Sequence, residues 1–281
     1  MKVVKTIAEV RAEVSRARAA GRTVGLVPTM GNLHEGHMRL VDAARGACGF
    51  VVVSVFVNPT QFGPREDFGS YPRTPDHDQA ACRARGADVV FCPEVAEMYA
   101  PGHRTQVSVP GLDNVLCGAS RPGHFTGVAT VVAKLLNIVA PDFAFFGAKD
   151  FQQTVVLRRM AADLNLATKI VVCPTVRDGE GLAMSSRNAY LGAAERAQAP
   201  ALRAALVEAE ALIRRGGAKS ADVIAAIRAA LARSAPSGVS DYVKIVDPGT
   251  LADVQDALPP VLVALAVKFS RARLIDNVFV E

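Results

Sequence analysis

Short β-rich segments alternate with longer helical patterns along the first two-thirds of this 281-residue chain. The β-rich segments are KVV at residues 2–4, TVGLV at 23–27 and FVVVSVFV at 50–57, followed by ADVVF, DFAFF and TKIVVC. Strands that alternate with helices are typical of a parallel sheet whose crossover helices cover both faces. The sequence therefore predicts an α/β fold built on a parallel sheet with helices on both faces.

The predicted helices lie between these strands. Thr6 and Glu9 have the spacing of a capping box, which indicates the start of the first helix. Further helices are predicted from about His34 and around residues 75–86. HFTGVATVVAKLLNIVA and DFQQTVVLRRMAADL also have helical patterns, and the first is apolar over most of its surface, which predicts burial against the sheet.

The alternation stops near Pro174, and the remainder of the chain has a different pattern. An alanine-rich helical pair is predicted at residues 193–213 and 219–233. Strands are predicted in DYVKIVD, PVLVALAVKF and ARLIDNVFV. We therefore predict two domains: residues 1–174 carry the parallel sheet, and residues 175–281 form a smaller α+β domain.

Composition narrows the class of protein. The longest compact apolar run, FVVVSVFV, has eight residues, whereas a membrane-spanning helix needs about 20. Lys2, Lys5 and Glu9 interrupt the start of the chain, where a secretory signal needs an uninterrupted apolar segment. These features predict a cytoplasmic protein with no membrane partner.

The cysteines and the net charge identify no partner by themselves. The five cysteines are scattered and lack C-x-x-C spacing, which favours reduced thiols over disulfides or a structural zinc site. A net charge of +5 favours phosphate-bearing partners. The positive charges are spread along the chain, so nucleic-acid binding is not predicted.

The stretch VPTMGNLHEGH, residues 27–37, combines the end of a buried strand, a turn and the start of a helix. Ligands of open α/β sheets bind at the carboxyl ends of strands, where helix N-termini attract phosphate. His34 and His37 are three residues apart, which places both side chains on one face of the first helical turn, where they could bind an anion. A metal-binding pair, which would need further ligands, and two solvated histidines are the alternatives.

Polar side chains also follow two other predicted strands. VNPTQF places Asn58 and Gln61 after the third strand, and GAKD places Lys149 and Asp150 after DFAFF. Gln153 lies one turn into the next helix. Lys149 could contact phosphate and the amides could contact hydroxyl groups, although a loop turn, a surface charge or a helix surface would also account for each residue alone.

The loop GLAMSSRN, residues 181–188, offers hydroxyl groups and the Arg187 guanidinium after a glycine. Such a loop could close over a triphosphate and neutralise departing pyrophosphate. A serine-rich turn with a solvent-facing arginine is the alternative.

Together these motifs resemble the pantothenate synthetase (pantoate–β-alanine ligase) family of the nucleotidylyltransferase group. The resemblance covers PTMGNLHEGH, FVNPTQF, YPRT, RPGHFTGV, FFGAKDFQQ, GLAMSSRN and RLIDN, in this order and across nearly the whole chain. It implies a Rossmann-like nucleotide- and pantoate-binding domain, a carboxy-terminal lid domain and a homodimer. It also implies ATP as co-substrate, Mg²⁺, and pantoate and β-alanine as substrates.

The resemblance also implies roles for individual residues. His37, His34, Lys149 and Arg187 would be catalytic, with His37 the principal histidine, and Gln61 and Gln153 would bind pantoate. No magnesium ligand is assigned, and the acidic stretch around His77 identifies neither Asp76 nor Asp78. The ATP-binding set would be Met30, Gly31, Asn32, Leu33, His34, Glu35, Gly36, His37, Gly147, Ala148, Lys149, Asp150, Val176, Met184, Ser185, Ser186 and Arg187.

One position departs from the family pattern, because Ala148 stands where the family usually has glutamate. The family reaction would join pantoate to β-alanine through a pantoyl adenylate, with release of pyrophosphate and AMP. Two alternatives are a nucleotidylyltransferase that stops after transferring AMP or CMP, and a non-catalytic nucleotide-binding regulator.

Overall fold

A computed structural model, which describes residues 1–64 and 66–281, confirms the predicted α/β fold. Within those ranges, six strands form one parallel, Rossmann-like sheet in the order β1-β4-β3-β2-β5-β6. The strands are β1 (Lys2–Val4), β2 (Val24–Thr29), β3 (Phe50–Val55), β4 (Val89–Phe91), β5 (Phe143–Gly147) and β6 (Lys169–Cys173).

Helices cover both faces of this sheet. They are α1 (Ile7–Ala19), α2 (Glu35–Ala47), α3 (Pro75–Ala84), α4 (Val95–Met98), α5 (Cys117–Ser120), α6 (His124–Val139) and α7 (Phe151–Asp163). Helices α1, α6 and α7 share a hydrophobic core with one face of the sheet. Helices α2 and α3 pack on the other face. The Thr6–Glu9 capping box at the start of α1 is present as predicted.

The strand order locates the cleft of the sheet. After β2 the chain adds β3 and then β4 on one side, and later returns to add β5 and β6 on the other side of β2. The turns that follow β2 and β5 therefore diverge at a topological switch point, where open α/β sheets bind ligands. The predicted histidine pair lies where the first turn meets α2, and the predicted Lys149–Asp150 pair lies in the second turn.

A second, antiparallel sheet follows in the carboxy-terminal part. Its strands are β7 (Val239–Val246), β8 (Val261–Lys268) and β9 (Arg273–Val280), in that order across the sheet. Helices α9 (Ala201–Arg214) and α10 (Ser220–Ser234) pack on it around a separate core. The parallel sheet ends at Cys173, close to the predicted boundary, and the division into residues 1–174 and 175–281 stays a prediction.

The prediction of one helix over residues 193–213 is wrong. The segment contains α8 (Ala193–Gln198) and α9, which begins at Ala201. Pro200 lies between them, and a proline has no N–H to donate to the preceding turn and collides with its carbonyl. Helices α4 and α5, of four residues each, were not predicted because one turn is too short to show a 3.6-residue period.

Among the described residues, no helix combines the length and the apolar composition that crossing a bilayer requires.

Helix α6 lies unusually close to the turn that follows β3. A Cβ atom at Gly127 would lie 2.3 Å from the carbonyl oxygen of Thr60 and 2.7 Å from Cα of Gln61. These distances are much shorter than van der Waals contact, and the obstructing atoms belong to backbone that cannot rotate away. Glycine at position 127 therefore permits the contact between α6 and the Gln61 turn.

We expect Gly127→Ala to lower the free energy of unfolding by about 1–3 kcal/mol, the usual cost of overpacking. Gly46→Ala is the matched control, since Gly46 also lies in a helix but a Cβ atom there would have no neighbour within 4 Å. That change should raise the free energy of unfolding by roughly 0.5–1 kcal/mol, because alanine loses less backbone entropy. Denaturant unfolding of both variants measures this, and equal effects would contradict the close approach at Gly127.

Candidate functional site

A cleft of about 1070 Å³ opens at the carboxyl ends of β2, β3 and β5. A second cavity of about 910 Å³ lies between the start of α6 and α7 and the small antiparallel sheet. Lys149, Asp150 and Gln153 line both spaces. The two cavities therefore adjoin at the turn that follows β5.

The cleft brings together residues from five of the sequence motifs. Those of the predicted site residues that line it are Met30, His34, Gly36, His37, Gln61, Gly147, Lys149, Asp150, Gln153, Val176 and Met184. Ser185 and Arg187 line the second cavity instead. Residues separated by more than 100 positions in the chain thus surround one continuous space.

The other predicted nucleotide-binding residues have different surroundings. Leu33 is 4% exposed and belongs to the core, and Glu35 forms ion pairs with Arg39 and Arg85. The Asn32 carbonyl accepts a hydrogen bond from Ser186 Oγ at 3.3 Å, which links the turn between β2 and α2 to residues 185–188, the SSRN loop. The backbone of Ala148 and Lys149 is held by Asn277. For Gly31, Asn32, Leu33, Glu35, Ala148 and Ser186, as for the residues that line the two cavities, contact with a nucleotide stays a prediction.

His34 caps helix α2 and does not belong to its first turn. Its backbone is extended and α2 begins at Glu35. The rings of His34 and His37 are in contact, with centroids 4.1 Å apart and planes tilted by 34°. His34 Nδ1 accepts from the Gly36 N–H at 3.1 Å, and His37 Nδ1 accepts from the His34 N–H at 3.3 Å. A nitrogen that accepts carries no proton, so the neutral rings carry their protons on Nε2.

Burial keeps both imidazoles neutral. The pKa of His34 is lowered to about 4, mainly by burial and to a smaller extent by the charge of Lys149, while Asp150 opposes the shift. Burial also holds the pKa of His37 well below its ordinary value, with additional repulsion from His34 and Lys149. At neutral pH, the pair therefore offers neutral Nε2–H donors to an anion, and Lys149 supplies positive charge to the same cleft.

The turn after β5 is held from the carboxy-terminal sheet. Asn277 Nδ2 donates to the carbonyl oxygens of Ala148 at 3.0 Å and Lys149 at 2.8 Å. The adjacent Asp276 is 3% exposed and forms a two-point ion pair with Arg177. The motif RLIDN thus has a structural role at the cleft that sequence reasoning did not assign.

Adjacent glutamines on α7 have separate roles. The Gln152 side chain is buried, accepts from the Cys117 N–H and donates to the carbonyls of Leu112 and Val115. Gln153 lines the cleft instead. The helix register therefore makes Gln152 structural and leaves the Gln153 amide available to a ligand.

Two arginines at the second cavity bind acids of one loop. Arg187 Nη2 lies 2.9 Å from Asp67 Oδ1, and Arg121 forms two hydrogen bonds with the carboxylate of Glu66. His124 lies beside Arg121, and burial lowers its pKa to about 4, with Arg121 as a further cause. Arg121 and His124 belong to RPGHFTGV. Arg121 lies just before α6 and His124 is its first residue, and because neither directly follows a strand, the strand-end argument missed them.

The part of the chain that the structure describes contains no group of three or more histidine, cysteine, aspartate or glutamate side chains that could hold a metal ion. The five cysteines form no disulfide with one another among the described residues, and four of them are buried.

The histidine pair makes stability depend on pH. In the unfolded chain, histidine takes up a proton near pH 6.5, whereas folding holds the pKa of both imidazoles lower. The unfolded state therefore binds more protons, and the free energy of unfolding falls as the pH falls below about 6.5. Each such histidine contributes a slope of at most about 1.4 kcal/mol per pH unit.

We expect His37→Asn to reduce this slope by about 1 kcal/mol per pH unit between pH 6 and 5. The asparagine Oδ1 can replace Nδ1 as the acceptor for the His34 N–H, so the turn should persist. Denaturant unfolding at a series of pH values measures the slope. An unchanged slope would mean that His37 is protonated in the folded protein.

The comparisons with known proteins agree with this geometry. A family model described as pantoate-beta-alanine ligase matches residues 2–279. The pantothenate synthetase of Acetivibrio thermocellus is 50% identical over 281 residues, all of both chains. The pantothenate synthetase of Rhizorhabdus wittichii is 51% identical, and the match covers all of this chain and 99% of that protein.

Solved structures give the same result. A crystal structure of pantothenate synthetase from Thermus thermophilus is 46% identical, with a TM-score of 0.94 and 99% of each chain covered. A pantoate-beta-alanine ligase from Francisella tularensis, described as complexed with beta-gamma ATP and beta-alanine, is 30% identical, with a TM-score of 0.80 over 99% of this chain and 97% of that one. Because both the matched length and the identity are high, this chain is a ligase that belongs to the pantoate–β-alanine ligase family.

Proposed function

We propose that the protein condenses pantoate with β-alanine to form pantothenate, using ATP and passing through a pantoyl adenylate. The single observation that carries this proposal is one cleft lined by two neutral imidazole donors, a lysine and two glutamine side chains. The first three groups suit phosphate, and the two glutamines suit a hydroxylated acid. Membership of the family supports the same reaction.

ATP binds with its phosphates at the turn between β2 and α2 and at the turn after β5. The N-terminus of α2 and the Nε2–H groups of His34 and His37 face the same cleft as Lys149. Ser185 and Arg187 reach the phosphates from the adjoining cavity when the SSRN loop moves towards the cleft. This arrangement surrounds the triphosphate with donors from three separate segments of the chain.

Pantoate binds beside Gln61 and Gln153, where neutral amides match its hydroxyl and carboxylate oxygens. A phosphorylated acceptor, which a simple nucleotidylyltransferase would use, needs additional lysine or arginine side chains. The nearby Arg121 is already paired with Glu66, and Arg187 is assigned to the triphosphate. The pantoate assignment is therefore preferred over transfer of AMP to a phosphate.

In the first step, a carboxylate oxygen of pantoate attacks the α-phosphorus of ATP, and the bond to pyrophosphate breaks. The carboxylate is already ionised at neutral pH, so the step needs no general base. His37, His34 and Lys149 stabilise the negative charge that accumulates on the phosphate oxygens. Arg187 stabilises the departing pyrophosphate.

In the second step, the neutral amine of β-alanine attacks the carbonyl carbon of the adenylate. The bond to the bridging oxygen breaks, AMP leaves with that oxygen, and the nitrogen loses a proton as the amide forms. Lys149 and the histidine pair again neutralise charge on the departing phosphate.

The cleft fits Mg²⁺ bound mainly through phosphate oxygens and water, because such an ion requires only one or two protein carboxylates. Asp150, which lines the cleft, is the carboxylate that would ligate it. When bound, Mg²⁺ would neutralise charge on the triphosphate. The homodimer implied by the resemblance and the cytoplasmic location predicted from the sequence stay predictions.

Exchange of labelled pyrophosphate into ATP, with pantoate present and β-alanine absent, tests the proposed intermediate. Exchange that requires pantoate supports the adenylate. ATP binding without exchange would favour the regulator, and exchange that requires a phosphorylated acceptor would favour a simple nucleotidylyltransferase.

We expect Gln153→Ala to raise the KM for pantoate about tenfold or more while the KM for ATP changes little, because it removes hydrogen bonds to the acid only. Gln152→Ala is the matched control. It removes buried hydrogen bonds and should lower thermal stability without this selective effect. Steady-state kinetics and thermal unfolding separate the two, and an equal rise in both KM values for Gln153→Ala would assign that residue to the nucleotide.

Asp67 competes with the triphosphate for Arg187. The pair is about three-quarters buried, so we expect Asp67→Asn to lower the KM for ATP by about threefold, within the range of partly exposed ion pairs. Glu66→Gln alters the neighbouring acid, which binds Arg121, and should leave the KM for ATP unchanged. A higher KM for ATP in Asp67→Asn would mean that Asp67 positions Arg187 for binding.

A further inference from the structure

We propose that Gly127, Asn58 and Tyr99 form a positioning network that fixes the orientation of the Gln61 amide, so that its N–H groups face a carboxylate oxygen of pantoate. The inference deepens the proposed function and rests on the assignment of pantoate to Gln61. Asn58, Gly127 and Tyr99 act through Gln61, and they are positioning residues.

The orientation is set first by the Gly127 carbonyl. A carbonyl oxygen can only accept, so the Asn58 atom 3.1 Å from it must be the donor Nδ2. The second hydrogen of Nδ2 points to the Gln61 side chain at 3.1 Å. That Gln61 atom must accept, and it is therefore Oε1.

The opposite end of the Asn58 amide agrees with this assignment. Its Oδ1 accepts from the Tyr99 hydroxyl at 2.7 Å and from the Thr60 hydroxyl at 3.0 Å. Burial raises the pKa of Tyr99, which keeps the hydroxyl protonated and able to donate. Asn58 is 1% exposed, so a reversed amide would bury two facing acceptors, Oδ1 and the Gly127 carbonyl, at the cost of unmade hydrogen bonds.

Gln61 consequently presents Nε2 to the cleft. This nitrogen lies 2.9 Å from Met30 Sδ, a weak acceptor that a substrate oxygen can replace. The backbone of the same residue is fixed independently, because its carbonyl accepts from Arg121 and lies 2.8 Å from His124 Nδ1. With Oε1 engaged, the Gln61 side chain offers only donors, which complement a group that only accepts, such as a carboxylate.

The close approach at Gly127 makes this network possible. Helix α6 can bring the Gly127 carbonyl to Asn58 only because no Cβ separates it from the Thr60 backbone. The network therefore links a glycine in the fold to the chemistry that the cleft can recognise.

Gln61→Glu tests the orientation directly, with Gln61→Ala as its reference. In the proposed orientation, one glutamate oxygen accepts from Asn58 and the other faces the pantoate carboxylate, so the KM for pantoate should exceed that of Gln61→Ala by about tenfold or more through like-charge repulsion. If Oε1 faced the substrate instead, Gln61→Glu would retain an acceptor there and bind pantoate better than Gln61→Ala. The latter result would overturn the proposal.

Tyr99→Phe tests the distal end of the network. Thr60 still donates to Asn58 Oδ1, so we expect the KM for pantoate to rise about fivefold, the value of one hydrogen bond, with kcat and the KM for ATP within about twofold of wild type. Thr130→Val is the matched control, because the Thr130 hydroxyl bonds Thr126 and Val107 but not the network. It should lower thermal stability without changing the ratio of the KM for pantoate to the KM for ATP. If this ratio were the same in Tyr99→Phe and Thr130→Val, the role of Tyr99 would be overturned.

Failure of the proposed function would give a different result. If Gln61→Ala left the KM for pantoate unchanged, the assignment of pantoate to Gln61 would be wrong. If Gln61→Ala raised that KM but Gln61→Glu bound pantoate better than Gln61→Ala, only the network would be overturned.

Discussion

The geometry of the cleft depends on the hydrogen bonds between the buried carboxylate of Asp78 and the backbone of the turn between β2 and α2. Asp78 is 2% exposed, and it accepts from the backbone N–H groups of Asn32 and Leu33 at 2.9 and 2.8 Å and from the Thr74 hydroxyl at 3.0 Å. Hydrogen bonds to an ionised group are stronger than neutral ones. They hold the turn between β2 and α2 in a conformation where Gly31 and Asn32 have positive φ, and so they fix the start of α2.

The chemistry of the histidine pair follows from that fixed turn. Once α2 starts at Glu35, the His34 and Gly36 N–H groups occupy both Nδ1 atoms, and the protons of the neutral rings lie on Nε2. Asn277 holds the Lys149 turn from the other sheet. The two elements that we propose to bind the triphosphate are therefore positioned by backbone contacts, and little rearrangement would be needed when charge develops.

The sequence predicts the strands, the long helices and the convergence of His37, Gln61 and Lys149, because periodicity and strand ends are local features. The sequence does not predict which atoms of each residue face the cleft and which are used in contacts within the protein. Asp78 supports a turn more than 40 residues earlier in the chain, and the orientation of Gln61 depends on a carbonyl in α6. The adjacent Gln152 and Gln153 differ only in the direction they face on α7. Such properties arise from contacts that are remote in sequence and cannot be read from the motif containing the residue.

The fate of the pantoate carboxylate oxygens tests the account most directly. Attack on the α-phosphorus transfers one of these oxygens to AMP when the amide forms. With pantoate labelled with ¹⁸O in its carboxylate, mass spectrometry of the products should show one ¹⁸O atom in AMP and none in pyrophosphate. Label in pyrophosphate or inorganic phosphate, with AMP unlabelled, would contradict activation at the α-phosphorus and the role given to His34, His37 and Lys149.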